Sequence, residues 1–329
     1  MDLLIDILLS PINLFFNPNS RIYWLYLLLS ILFAILVITF DLKSKGRLNF
    51  HKLFIYLFYK RPWTHPSSFV DYKYYLINTL LFSIVLGYMV ITSTTTAKII
   101  NNQLIYQFGI PERILSFGIW ENILYTIFVW GFADFGRFMV HYLLHNVTFL
   151  WEFHKFHHSA EVLNPLTDFR VHPVEGILLN SASGLFAGII TGLAIYVFPG
   201  GLQEITVWNL NVGIFLFNFY ANLRHTHVWL NFPKWVSHIL ISPAQHQIHH
   251  SINPNHYQKN MGVTFAFWDL LFGTLYIPTH KEKLKFGLPS SEYTRTTSIL
   301  RIYCGPFGIA FKVWNELLKI FKNYIKKAL

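Results

Sequence analysis

The sequence predicts an all-α, polytopic membrane protein with about four to five transmembrane or re-entrant helices and a cytoplasmic histidine-rich helical cap. Three observations carry that expectation. Charged residues make up 13% of the chain and hydrophobic residues 53%, against about 25% charged in ordinary soluble domains. Uncharged apolar runs recur at lengths able to cross a bilayer. Thirteen of the sixteen histidines fall between His141 and His256, most of them in tight clusters.

The first apolar run covers 22–40, nineteen residues without a charge. A second covers 74–92, and a third covers 114–132 with Glu121 inside it. Runs at 176–198 and 205–220, joined by the turn-like PGGLQE, read as a helical or re-entrant hairpin. Aromatics, 18% of the chain, flank these runs, as expected for rings at headgroup level. Asp2 and Asp6 stand where a signal peptide would be basic, so none is expected, and 3–16 reads as a surface segment. In the tail, 306–329, Ile309, Val313, Leu317, Ile320, Phe321 and Tyr324 recur at helical spacing. Lys312, Lys319, Lys322 and Lys326 take the other side, which suits an in-plane amphipathic helix or one packed on the protein's own core.

Basic loops stay cytoplasmic. Lys43, Lys45, Arg47, Lys52, Lys60, Arg61 and Lys73 lie between the first two runs, which puts that loop inside and the N-terminus outside. Every histidine cluster then falls on the cytoplasmic side. The net charge of +10 is dispersed between apolar segments beside aromatics, which suits an anionic membrane face; no nucleic-acid partner is expected. The single cysteine, Cys304, excludes an intrachain disulfide and a cysteine-ligated metal centre, and reads as an ordinary buried or interfacial thiol. One domain is expected, with anchoring helices in 1–113, a di-metal catalytic region in 114–280 and a basic amphipathic tail in 281–329.

Three boxes carry the chemistry. HYLLH places His141 and His145 at i and i+4, on one helical face. HKFHH places His154, His157 and His158 at i, i+3 and i+4, and HQIHH repeats that geometry with His246, His249 and His250. Eight neutral imidazoles exceed what one tetrahedral ion needs, so the chain reads as a holder of two ions. His225, in RHTH, is the ninth candidate, and His227 beside it is a ligand or a supporting residue. His172 and His256 are candidates to line the site, whereas His51, His65, His238 and His280 read as structural. Asp134, seven residues before His141, is a candidate to accept the N–H of a ligating ring. Glu152, Asp168, Glu175 and Asp269 also lie near the boxes. Arg170 is expected to bind an acidic headgroup or pair with Asp168.

Nitrogen-rich sites accept several metals, so chemistry decides more than affinity. Two adjacent redox-active ions held by neutral ligands suit O2 activation and removal of hydrogen from an unreactive C–H bond. A hydrolytic dizinc site would more typically include bridging carboxylates. A metal carrier would need ligands along the spans, which contain almost none.

The segments DFGRFMVHYLLH, LWEFHKFHHS, LTDFRVHPVE, RHTH, SPAQHQIHHS and KNMGVTFAFWDLLFGTLY together resemble the fatty acid hydroxylase/sterol desaturase superfamily of integral membrane di-iron enzymes. The resemblance runs from about 132 to 276. It implies two iron ions, with zinc as a substitute in purified protein, on His141, His145, His154, His157, His158, His246, His249 and His250, with His225 added. It also implies a lipid substrate hydroxylated, or alternatively desaturated, with O2 and electrons from an external ferredoxin, cytochrome or reductase. The sequence departs from many members in carrying His225-Thr226-His227 where they carry HSN.

Overall fold

The computed structural model describes residues 2–47, 49–59, 62–111, 118–207, 210–288 and 298–328. The start of the expected run at 114–132, Lys60 and Arg61, and the side chains of Tyr324 and Lys326 lie outside what is described. The chain is mostly helical. It opens with α1 (Asp2–Asn13), α2 (Trp24–Ser44), the short α3 (Phe50–Phe54), α4 (Pro66–Ile84), α5 (Ser93–Phe108) and α6 (Ile119–Asn146). It continues through α7 (Thr148–His158), α8 (Pro173–Val197), α9 (Val212–Ala221), α10 (Lys234–Ser237), α11 (Pro243–His249), α12 (Phe267–Phe272) and α13 (Ile299–Ala328). Strands β1 (Thr206–Val207) and β2 (Leu210–Asn211) form a small antiparallel ribbon between α8 and α9.

Among the described residues, α2, α6 and α8 are long and apolar enough to cross a membrane. The pair α4/α5, bent by 60°, meets the same length and hydropathy only when taken together, as a broken span or a re-entrant loop. The chain is a multi-pass membrane protein. Of the two readings of the hairpin after residue 176, two full spans or a re-entrant turn, the first does not hold. The hairpin's second arm is the ribbon followed by α9, which at ten residues falls well short of the roughly 20 a crossing needs.

Local chemistry sets the helix ends. α4 and α8 each begin with a proline at the first position, preceded by His65 and His172, whose rings accept the Ser67 and Val174 N–H groups. Proline costs nothing there, because that N–H has no helical partner. α5 starts on Thr92, whose hydroxyl accepts from Thr95, and stops at Gly109, with φ at 78°. α5 was not among the predicted runs, because Thr94, Lys98, Asn101 and Gln103 break its apolar character. It is held by close backbone approach. Gly188 and Gly192 recur on α8, and a Cβ on them would lie 2.6 Å from the Ser93 carbonyl and 2.8 Å from the Ala97 carbonyl of α5. Small residues four apart admit such contact between helices in lipid. Gly136 of α6 likewise lies against Ala182 of α8, so α8 is clasped between α5 and α6.

α13 resolves the two readings of the tail by dividing between them. Its first half packs on the protein: Ile302 is buried with Val70, Tyr74 and Phe156, and Phe307 and Trp314 meet Phe153 and Phe149 of α7. Its second half leaves Leu317, Ile320 and Phe321 exposed. Cys304 is exposed rather than buried, being on the outer side of this helix.

Candidate metal centre

All nine histidines singled out from spacing converge in one buried region, arriving from four parts of the chain. His141 and His145 come from the last two turns of α6, and His154, His157 and His158 from α7. His246 and His249 come from α11, with His250 at its end, and His225 from the turn after α9. The short α11 is set by a capping box in which Ser242 and Gln245 bond reciprocally.

The rings divide into two groups. His141, His145, His154, His158 and His249 form one; His157, His225, His246 and His250 form the other. Within each, one ring nitrogen per residue lies within 4.8 Å of all the others. The boxes are therefore shared between groups, since adjacent rings of HKFHH and HQIHH turn to opposite sides. His158 and His250 stack at 4.6 Å between centroids, joining the two groups.

The inward-facing nitrogens test whether cations fit. Nε2 of His141 and His158 each lie 3.1 Å from Nε2 of His154. In the second group Nε2 of His225, His246 and His250 lie 3.0–3.1 Å apart. Two ligand nitrogens bound at about 2.1 Å and at right angles would be separated by about 3 Å. Nε2 of His145 and His249 are buried with no hydrogen-bond partner, an arrangement costly without a cation. Burial holds His154, His158, His225, His246, His249 and His250 well below the usual imidazole range, with their mutual repulsion adding to it. Burial takes His157 to about 4, against the pull of Asp168. These rings are neutral at pH 7, the form that ligates metal. The donor set fits two ions.

The outer ring nitrogens are oriented mainly by carbonyls. His141 Nδ1 donates to the Met261 carbonyl (2.6 Å) and His249 Nδ1 to that of Lys259 (2.9 Å). His157 Nδ1 faces the Arg170 carbonyl at 3.3 Å. One carboxylate acts directly: Glu175, at the start of α8, accepts from His154 Nδ1 at 2.7 Å. Each such bond fixes the tautomer that turns Nε2 inward. His246 differs: its Nδ1 accepts from Arg224, which also donates to the Val263 and Gly262 carbonyls, so this ring is not held in that tautomer.

Asp134 is placed differently from its expected role. It touches no imidazole; its carboxylate accepts the Thr264 and Phe265 N–H groups at 2.8 and 3.1 Å. On the other side Asp269 accepts from Met261 and Gly262 at 2.7 and 2.8 Å, with burial raising its pKa to about 6. The 259–265 segment is thus pinned between two carboxylates, so that its carbonyls at 259 and 261 meet His249 and His141. Glu175 and Asp269 stood among the carboxylates near the boxes without assigned roles. Only the tertiary packing shows what they touch.

His172, His227 and His256 lie outside both groups. His227 donates to the Tyr56 carbonyl at 2.7 Å, and His256 pairs with Glu282 at 3.0 Å. His172 caps α8 and donates to the Tyr303 carbonyl of α13 at 3.0 Å. Burial lowers its pKa to about 4, against about 6.5 in an unfolded chain. Between those values the unfolded chain takes up a proton that the folded ring refuses. The stabilisation is complete above pH 6.5 and is lost as pH falls toward 4, by up to about 3 kcal/mol. His172→Asn keeps the cap without the titration. Its melting temperature is expected to fall less steeply than wild type from pH 7 to 4.5, and an identical profile would contradict this.

Arg170 pairs neither with Asp168 nor with anything outside the protein. It is 1% exposed, bound to Asp71 at 2.7 Å and to Ser159 and Ser67. Asp168 is paired instead with Arg21. A cavity of about 890 Å³ leads away from the rings of both groups. Beyond His141, His154, His157, His225 and His246 it is lined by Phe82, Val129, Trp130, Leu179, Ile214 and Phe217.

The fatty acid hydroxylase family profile matches residues 126–274, a stretch that contains all nine rings, Glu175 and Asp269. Over that stretch the chain is similar to the fatty acid hydroxylase family. Among its relatives, an alkylglycerol monooxygenase of Caenorhabditis elegans is 26% identical over 63% of this chain and 36% of its own length. The ornithine lipid hydroxylase OlsE of Rhizobium tropici is 28% identical over 47% of this chain and 43% of its own. Sphinganine C4-monooxygenase 1 of Arabidopsis thaliana is 28% identical over 47% and 54%. The chain thus spans about a third to a half of the length of these curated relatives. No solved structure matches it.

Proposed function

We propose that the chain is an O2-dependent lipid oxygenase holding two iron ions on the nine histidines, hydroxylating a C–H bond with electrons from a separate donor. The observation that carries this reading is two adjoining sets of neutral, buried imidazoles facing one partly apolar cavity between membrane helices. The named relatives, monooxygenases and hydroxylases of alkylglycerol, sphinganine and ornithine lipid, support a lipid substrate.

Iron bound there would supply O2 reduction and the oxidant that removes hydrogen from the substrate. The protein's part is positional. The 259–265 segment and Glu175 hold ring tautomers so that no reorganisation is needed at the moment of reaction. Phe82, Leu179 and Phe217 give an apolar chain a place to lie beside the rings, which sets the carbon that reacts. The site faces the cytoplasm in this reading. A contact between the basic segment joining α2 to α4 and the site region, His227 to the Tyr56 carbonyl, supports this side.

Lipid extracts of cells with and without the active protein, compared by mass spectrometry under oxygen-18, test the proposal. A labelled oxygen gained on one lipid is expected. A product lacking only two hydrogens would mark desaturation on the same site, and O2-independent turnover would contradict both.

A further inference from the structure

Three arginines line the cavity, and two of them are engaged. Arg21 is ion-paired with Asp168, and Arg224 is bound to two carbonyls and His246. Arg137, one helical turn before His141 on α6, has no hydrogen bond or ion pair among the described residues. The nearest carboxylate on its own helix, Asp134, is taken up by the Thr264 and Phe265 N–H groups. Asp168 is held by Arg21. A guanidinium cannot lose its charge, and it presents five donors in a planar fork. Arg137 is half-buried, and Asp134 and Asp168 act on its charge without bonding it, which leaves its donors for a ligand. The groups that match the fork are carboxylates and phosphates, which it binds through two parallel hydrogen bonds.

The surroundings place that match within the substrate path. Along α6, Arg137 comes one turn before His141 and about two turns after Val129 and Trp130, and all four line the cavity with Leu179 and Phe217. A lipid whose chain lies along those residues would bring its head to Arg137. Arg170, buried near the site, is fully committed to Asp71 and the serines around it.

We propose that Arg137 is the headgroup anchor of the cavity and that the substrate carries a carboxylate or phosphate there. This rests on the lipid-oxygenase reading and adds the substrate class to it. The test is equilibrium binding of tritiated long-chain fatty acid, lysophosphatidate and the long-chain alcohol of equal length. The metal-loaded protein is held in phosphatidylcholine nanodiscs, with empty nanodiscs as background. Wild type is expected to bind at least one of the two anionic lipids about tenfold or more tighter than the alcohol. Arg137→Gln should lose that preference while binding the alcohol as wild type does and keeping its metal content. Arg137→Lys should retain part of it, and the more strongly bound anion tells carboxylate from phosphate. Equal wild-type affinities, or a preference that survives in Arg137→Gln, would overturn the anchor while leaving the oxygenase reading intact. Binding of none of the three above background would overturn the lipid reading itself.

Discussion

His250→Ala and His158→Ala, one from each ring group, are each expected to abolish product and to lower bound metal from two ions per chain toward one. The loss of turnover should exceed the 10- to 100-fold typical of residues that merely support a ligand, because each variant removes a donor itself. Four rings remain in the first group after His158→Ala and three in the second after His250→Ala, so the second group should lose its ion more completely. Metal analysis beside product formation checks this. Retained turnover in both variants would refute the assignment.

Arg170→Ala is expected to destabilise the protein by about 3–5 kcal/mol, the cost of leaving a buried partner charge uncompensated. Asp71 would lose its guanidinium, and Ser67 and Ser159 a shared donor. The pair ties α4 to the segment leading into α8, and the Arg170 carbonyl faces His157. The effect should therefore reach the rings. At about 1.5 °C per kcal/mol for a chain of 329 residues, the melting temperature in detergent should fall by about 5 °C. Replacing both partners together, as Asp71→Asn with Arg170→Leu, should recover part of the loss. A single variant melting like wild type would show that the pair does not hold the fold.

The ring set was legible in the sequence because helical periodicity turns HxxxH and HxxHH into one-sided arrays. Its division into five and four was not legible. His157 and His158 are neighbours in the chain yet serve different groups, and only the crossing of α7 and α11 decides which ring faces which. Asp134 shows the same limit from the other direction. Its spacing from His141 was read correctly, but its carboxylate bonds to a segment 130 residues away in the chain. The spans α2, α6 and α8 followed from apolar length. α5 escaped because the glycines of α8, rather than its own hydropathy, hold it in place. For 205–220 the apolar run leaves a full span and a re-entrant arm both open, because it says nothing about the ribbon that shortens α9. Arg137 stands within DFGRFMVH, but that none of the described residues bonds to it is a property of the packed structure alone.

The claim beneath these expectations is that nine imidazoles hold two neighbouring cations. Metal analysis of iron-loaded protein, joined to its X-ray absorption spectrum, tests it most directly. Two irons per chain, ligated mainly by imidazole nitrogen, are predicted; a single ion, or iron lacking the scattering of imidazole rings, would contradict the account.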